Sequence, residues 1–285
     1  MRTFTSTLKL LLCFGLAASL QAQTIDFNKA FDAKAAAVAS GEELKKQSNL
    51  FVMEVEFRPV GLVELELTNP QTGKKEKKLV WYQVYRTVNR ELDSPVDKAK
   101  IETDNPKDPI PEPYLIPEFF LVVQGKDSLK VYQDVVLPEA VAVIAKREKI
   151  SQIEKSRKIE LKNSVQVIQR IPDPVSEEDK SPEWIYGVAT WVDVDPKTDH
   201  FAIFAEGFSN GYQKGTLDGA EVLERKTIVM DFWRPGDAYN QVDREIRRHP
   251  EAPDPRWIYR PSGIDDFDGT VTTSVPAEAE SVPNP

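Results

Sequence analysis

The sequence contains one loop whose acidic residues are spaced as ligands for a metal ion. Asp193, Asp195 and Asp199 lie close together in a loop between two predicted strands. Carboxylate oxygens are hard ligands that can hold calcium, the one cofactor that this sequence suggests. The loop nevertheless lacks the glycine, the flanking helices and the closing bidentate glutamate of an EF-hand. Aspartates in such a loop also cap backbone amides in turns, and we favour that interpretation.

A second group of residues combines aromatic rings with charge. The stretch 231–237 ends a predicted strand with Trp233 and Arg234, and a Pro-Gly pair then turns the chain before Asp237. An arginine in this setting can pair with the aspartate or stack on an indole ring. We therefore expect it to pair with Asp237 or to stack on Trp233 or Trp257.

A basic and aromatic block follows further along the chain and contains Arg256, Trp257 and Tyr259. Together with Trp233 it could form a ligand platform, for instance for sugars that stack on tryptophan. Alternatively, the two blocks form a clasp at the edge of the core, which pins the C-terminal arm against a sheet. We favour the clasp, because aromatic residues mostly serve packing.

Most signatures of catalysis are absent from the sequence. The chain has two histidines, His200 and His249, and a single cysteine, Cys13. It contains no glycine-rich phosphate loop, no His-Glu-x-x-His zinc motif and no Gly-x-Ser-x-Gly elbow. We therefore expect a protein that is not an enzyme. A carboxylate-based hydrolase stays open as an alternative, because paired acids have no short sequence signature.

Residues 1–22 have the order of a secretory signal peptide. Arg2 and Lys9 supply the positive start, and the apolar stretch that ends at Leu20 is too short to span a bilayer. Cleavage is expected near Ala22, with export to the periplasm or the exterior. No later stretch is long and apolar enough for a membrane span, so we expect none after cleavage.

The balance of charges limits the partners. With 37 Lys and Arg against 46 Asp and Glu, the formal net charge is −9, and we expect no nucleic-acid partner because phosphate neutralisation needs surplus cations. The only cysteine leaves with the signal peptide, so the exported chain has no disulfide to stabilise it. Hydrophobic residues make up 40% of the chain, which is enough for an ordinary packed core.

Alternation with a period of two predicts an all-β fold. In 50–58 and 62–67, apolar residues alternate with Glu and Arg, as in strands with one buried face. The stretch 79–88 is apolar on both faces and is expected to be a central strand. Asn210-Gly211 and Asp218-Gly219 predict hairpin turns. We expect one or two immunoglobulin-like antiparallel β-sandwich regions.

Helices and loops complete the predicted organisation. The N-terminal segment is expected to form a helix that ends near Ser40, and Pro138 is expected to begin a helix that links two β regions. The proline-rich stretch 91–118 is long for a loop inside a compact domain, which makes it functional or mobile. In order, we expect a signal peptide at 1–22, a helical segment at 23–47, a first β region at 48–137, a linking helix at 138–158, a second β region at 159–261 and a disordered tail at 262–285.

Three stretches have distinctive sequences: VWYQVYRTVNR at 80–90, YGVATWVDVDPKTDHFAIFAEGFSNGYQ at 186–213 and RKTIVMDFWRPGD at 225–237. In this order, and with an Arg-Trp-Ile-Tyr-Arg ending, they resemble a family of uncharacterised secreted proteins of planctomycete-type bacteria. The resemblance covers roughly residues 50–260. The resemblance implies a secreted protein of that lineage. It also implies one recurring structural unit that contains 186–213 and 225–260. It implies no reaction, cofactor or catalytic residue.

These features together predict an exported, non-enzymatic envelope protein that binds another protein or a surface polymer. Edge strands and loops of β-sandwiches commonly serve such interactions. There are two alternatives. One is a calcium- or carbohydrate-binding module that uses the aspartate loop or the aromatic blocks, and the other is a carboxylate-based hydrolase.

Overall fold

The computed structural model describes residues 31–47, 49–69, 71–92, 113–124, 129–153, 158–179, 181–217, 219–234 and 246–261. Two antiparallel sheets contribute to one main hydrophobic core, which lies between them. The prediction of an all-β sandwich is therefore confirmed. The predicted signal peptide, most of the proline-rich stretch and the predicted disordered tail lie outside the described residues.

Strands make up most of the described elements. In chain order the elements are β1 (Ala33–Ala35), α1 (Gly41–Lys46), β2 (Met53–Phe57), β3 (Gly61–Thr68), β4 (Lys75–Asn89), β5 (Tyr114–Leu115), β6 (Glu118–Gln124), β7 (Leu129–Gln133), α2 (Pro138–Arg147), β8 (Gln169–Arg170), β9 (Ile185–Trp191), β10 (His200–Glu206), β11 (Tyr212–Leu217), β12 (Ala220–Trp233), β13 (Arg247–Arg248) and β14 (Arg256–Pro261). A short 3-10 helix, Ile150–Gln152, follows α2. Among the described helices, none has the length and apolar character needed to cross a membrane.

The first sheet is built around β4. Antiparallel to this strand, β3 pairs with residues 75–82, β2 with residues 85–89 and β9 with residues 81–87. Strand β1 extends the sheet beyond β2. The second sheet has the order β11-β12-β10-β6-β7, and β13 and β14 also pair with β12. A separate two-stranded ribbon is formed by β5 and β8.

Each sheet combines strands from both predicted β regions. Strand β9, from the second region, pairs with β4, and β6, from the first region, pairs with β10. The two regions therefore form one sandwich together. The long strands β4 and β12 each pair with several strands. Some of these pairing strands are distant in sequence, as β9 is from β4.

The inner faces of the two sheets meet in an aromatic core. Its largest side chains are fully buried, namely Phe57, Trp81, Tyr85, Phe119, Trp191 and Phe208. Several of these rings contact one another edge to face, as in Tyr85 and Phe208, whose centroids are 5.4 Å apart. Gly187 lies opposite Tyr85 on β9, and a side chain there would collide with the tyrosine ring. This glycine therefore makes room for the ring at the centre of the core.

Helix α2 covers the outer face of the first sheet. Ile144 of the helix and Tyr82 of β4 belong to a second cluster of buried residues on this face. The helix starts at Pro138, as predicted, but it ends at Arg147, well before its predicted end. The reason is Lys149, which takes a left-handed backbone conformation with φ 52° that a right-handed helix cannot continue.

The N-terminal segment differs from the predicted helix that ends near Ser40. Strand β1 occupies part of it, with Ala33 and Ala35 buried, so pairing with β2 overrides the helix preference of alanine. Ser40 begins α1 instead of ending a helix. Its hydroxyl accepts the Glu43 N–H at 3.2 Å, and the Glu43 carboxylate accepts the Ser40 N–H at 2.6 Å. These two bonds form a capping box.

The turn predicted at Asn210-Gly211 is also different. Strand β11 pairs with β12 and not with β10, so this dipeptide lies in a bend between two strands that share β12 as a neighbour. The Asn210 side chain accepts the Phe51 N–H at 2.8 Å and donates to the Asn49 oxygen at 2.9 Å. Its polar groups therefore connect the segment between β10 and β11 to the segment that precedes β2. The strands on either side of 218–219 pair as the predicted hairpin requires.

Asp134 lies where the chain passes from the second sheet to the first. Its N–H donates to the Phe119 oxygen at 2.9 Å, and the N–H of Val135 donates to the Thr190 oxygen of β9 at 2.8 Å. The carboxylate accepts the Thr190 N–H at 2.7 Å and also the Ser164 hydroxyl. Burial raises the pKa of Asp134 to about 6, although these hydrogen bonds act in the opposite direction.

We predict that this carboxyl group stabilises the fold in acid. Its contribution is fully present below the ordinary aspartate pKa of 3.8 and is lost as the pH rises through about 6. The loss amounts to at most about 3 kcal/mol, since one pKa unit corresponds to about 1.4 kcal/mol. Asp134→Asn keeps an acceptor for Thr190 and a donor for Ser164. It should therefore reduce the change of melting temperature with pH between about pH 4 and about pH 7.

Thermal unfolding followed by circular dichroism measures this effect. Glu64→Gln, on an exposed position of β3, is the matched control and should keep the slope of the unmodified protein. An Asp134→Asn profile that runs parallel to that of the unmodified protein would contradict the assignment.

Candidate functional site

The loop after β9 does not gather its three aspartates around one point. Asp193, at φ 59°, bonds to the Lys78 ammonium at 2.7 Å. The Asp195 carboxylate accepts a backbone N–H two residues further on, at 2.9 Å, as in an Asx turn. The backbone oxygen of Asp199 accepts the Arg234 N–H at 2.8 Å. Across the described ranges, no group of three or more His, Cys, Asp or Glu side chains could hold a metal ion.

Arg234 is a buried residue of the first aromatic block. Its guanidinium carbon lies 5.5 Å from the ring centroid of Trp81, and Nη1 donates to the Pro196 oxygen at 2.7 Å. No local pattern in the sequence indicates Trp81 as a partner of Arg234, because Trp81 lies on the other sheet. Trp233 pairs with His200 in β10 and is half-buried. The predicted partner Asp237 lies outside the described residues.

The second aromatic block lies in β14 and contacts the N-terminal segment. The Trp257 indole donates to the Ala36 oxygen at 2.8 Å, and the Tyr259 hydroxyl donates to the Glu43 carboxylate. Lys226 of β12, opposite Tyr259, bonds to the same carboxylate at 2.7 Å. From here on, the clasp means Glu43, Lys226, Trp257 and Tyr259, which tie α1 and β14 to β12. It differs from the clasp predicted between the two aromatic blocks. Arg256 of the same block pairs with the Asp231 carboxylate at 2.6 Å.

The clasp is held by charge as well as by packing. Lys226 is only 5% exposed, and its ammonium lies 5.7 Å from the ring centroid of Trp257. Burial alone would raise the pKa of Glu43, but hydrogen bonds from Lys226 and Tyr259 outweigh this effect and lower it to about 2. Burial and the Glu43 carboxylate raise the pKa of Tyr259. These shifts describe a half-buried carboxylate that is stabilised in its charged form.

A cleft of 540 Å³ opens beside the start of β9. Two aromatic residues line it, Trp184 and Tyr186. The remaining lining combines charged and amide groups with apolar ones: Lys158, Ile159, Glu160, Lys162, Gln169, Pro172, Glu183 and Ile185. The cleft therefore places aromatic rings among many hydrogen-bond donors and acceptors. Such a combination suits a small ligand or a segment of a polymer.

Stacked arginines and aromatic rings position Trp184. The guanidinium carbon of Arg86 lies 4.2 Å from the ring centroid of Trp184 and 4.5 Å from that of Phe31. Arg58 lies 4.8 Å from the Phe31 centroid and Arg90 lies 5.8 Å from the Trp184 centroid, so cations and rings alternate. We call these five residues the arginine–aromatic stack.

Glutamates hold the arginine–aromatic stack in place. Glu56 of β2 bonds to the Arg86 guanidinium at 2.6 Å, and Glu148 bonds to that of Arg58 at 2.9 Å. Arg86 is therefore fixed both by charge and by the rings on which it lies. Because Trp184 packs on a fixed guanidinium, little of its rotational freedom is left to lose when a ligand binds.

The sequence did not indicate Trp184 as a site residue. This tryptophan marked only the beginning of a predicted strand, and no motif surrounds it. Its partners Phe31 and Arg86 belong to distant parts of the chain, so no local pattern could have indicated the stack. The predicted site residues Asp193, Asp195, Asp199, Trp233, Arg234, Arg256, Trp257 and Tyr259 do not line this cleft.

We predict that the clasp weakens in acid. The contribution of Glu43 is present above its ordinary pKa of 4.5 and is lost as the pH falls toward about 2. Glu43→Gln should therefore lower the melting temperature by several degrees at neutral pH and reduce its fall in acid. Thermal unfolding at a series of pH values measures both effects.

The neighbouring, exposed Glu42 supplies the matched control for this test. Glu42→Gln should behave as the unmodified protein does. Equal behaviour of the two variants at every pH would show that Glu43 is not specifically stabilised by Lys226 and Tyr259.

No protein-family model, no curated protein and no solved structure matches this chain. The resemblance to secreted proteins of planctomycete-type bacteria therefore stays a prediction from the sequence. The function of the cleft has to be inferred from its own geometry and chemistry.

Proposed function

We propose that the protein is an exported, non-enzymatic envelope protein that binds a surface polymer, and that this polymer is a carbohydrate. The observation that carries the proposal is the cleft beside Trp184, which combines a positioned aromatic ring with a wall of hydrogen-bonding side chains. Export is inferred from the predicted signal peptide at 1–22. The absence of nucleophile, phosphate-loop and zinc motifs from the sequence supports a non-enzymatic role.

A sugar ring presents two kinds of surface, and the cleft has groups for both. Its C–H groups can pack on an aromatic ring, for which Trp184 offers a large apolar area with a polar edge. Its hydroxyls both donate and accept hydrogen bonds. Lys158 and Lys162 supply donors at the cleft, and Glu160 and Glu183 supply acceptors. This mixture favours a polyhydroxylated ligand over an apolar one.

The size and rigidity of the cleft also fit a binding site. Its volume of 540 Å³ lies within the range of about 300–1,000 Å³ that is common for ligand pockets. Arg86 holds the Trp184 ring before any ligand arrives, and Glu56 holds Arg86. A ring that is already ordered contributes more of its contact energy to affinity.

We predict that Trp184→Ala weakens carbohydrate binding about tenfold, the effect of losing about 1.4 kcal/mol of stacking. Co-sedimentation with insoluble envelope polysaccharide, followed by calorimetric titration with its soluble fragments, measures the loss. Glu56→Gln should weaken binding less, because it loosens Arg86 without touching the ligand. Circular dichroism of each variant establishes that the fold is intact.

Trp233→Ala is the matched control, since Trp233 is a half-buried tryptophan on the other sheet. It should bind as the unmodified protein does. Loss of binding in Trp233→Ala but not in Trp184→Ala would move the site to the aromatic block. If the protein bound no envelope polysaccharide, the proposal of a carbohydrate ligand would be wrong.

A further inference from the structure

The only two histidines of this 285-residue chain lie against each other. His200 is the first residue of β10, and His249 follows β13. Their ring centroids are 6.1 Å apart, and the ring planes are inclined by 53°. Two imidazoles this close can each direct a nitrogen to one metal ion, and imidazole is a ligand that zinc, nickel and copper share.

Strand β12 brings the two histidines to the same face. His200 pairs with Trp233 in β12, and the N–H of His249 donates to the Asp231 oxygen at 2.9 Å. Phe232, which lies between these two β12 residues, points into the core, so both of its neighbours point outward. The two imidazoles therefore lie on the outer face of the second sheet, where His200 is exposed and His249 is half-buried. A metal ion in solution can reach them.

The cleft beside His249 is lined by more acidic than basic residues. A cleft of 290 Å³ contains His249 in its lining, together with the acidic residues Asp231, Glu251 and Asp254 and the basic residue Arg256. Three carboxylates against one guanidinium give this lining an excess of negative charge. Such an excess raises the local concentration of cations.

We propose that His200 and His249 bind a divalent transition-metal ion, with water completing its coordination. The described residues include no group of three or more candidate ligands, so this site differs from a closed structural zinc site, which has four protein ligands. The ion is therefore exchangeable and is not needed for folding. Affinity should follow the usual order for nitrogen ligands, with Cu²⁺ bound more tightly than Ni²⁺ or Zn²⁺.

The ring of His249 makes one hydrogen bond within the protein. Nδ1 of His249 accepts the Glu251 N–H at 3.4 Å, which is long for a hydrogen bond. Because this hydrogen bond is weak, little free energy is lost when metal binding moves the proton of that ring.

The test is a calorimetric titration of the untagged full-length protein with Zn²⁺, Ni²⁺ and Cu²⁺ salts in separate experiments. Saturable binding of one ion per chain is expected. Because the chain has no other histidine, every imidazole NMR signal belongs to this pair, and both sets of signals should shift on adding Zn²⁺. His200→Gln and His249→Gln should each weaken binding at least about tenfold, and the double variant should bind no better than either.

Asp195→Asn is the matched control, because it alters an aspartate of the loop first considered for calcium. It should leave the affinity unchanged. His200→Gln alters an exposed side chain, and its circular dichroism spectrum establishes that any lost binding does not reflect unfolding. The proposal is overturned if none of the three ions binds, or if binding persists unchanged in both histidine variants. Neither result bears on the carbohydrate cleft, which lies on the other sheet.

Discussion

Side chains on both faces of β4 are buried, so this strand requires cover on two sides. Trp81 and Tyr85 belong to the core between the sheets, whereas Tyr82 and Val84 belong to the cluster under α2. Removing this apolar surface from water is the main driving force for the architecture. The strands β2, β3 and β9 lie beside β4 in the same sheet and cannot cover its faces. The second sheet covers the inner face and α2 covers the outer face, and both follow β4 in the chain.

The two ends of the described chain depend on a different kind of contact. The clasp joins α1 to β14 through one buried lysine and one carboxylate, and Arg248 pairs with Asp32 nearby. Phe31 lies among the guanidinium groups of the arginine–aromatic stack. These contacts are few and connect residues far apart in sequence. They therefore add specificity to the position of the ends, while the apolar core provides most of the stability.

The two candidate sites occupy the outer faces of different sheets. The Trp184 cleft lies beside the outer face of the first sheet, and the histidine pair lies on the outer face of the second. Successive side chains of a strand point to opposite faces, and those on the inner face pack in the core. Outward side chains near strand ends are therefore available for ligands. The aspartate loop illustrates the opposite outcome, since Asp193 and Asp195 are used in an ion pair and a turn. Acidic spacing alone therefore did not indicate a site.

Period-two alternation by itself determined that the chain forms half-buried strands and an all-β core, because it reports which face of each strand avoids water. Proline and acid at the start of α2 likewise determined where that helix begins. Only the tertiary structure decided that β11 pairs with β12, that Arg86 and Phe31 hold Trp184, and that His200 meets His249. Strand pairing and side-chain stacking join residues that are distant in the chain. Local patterns report burial but do not specify the partner, so these contacts exist only once both sheets have assembled.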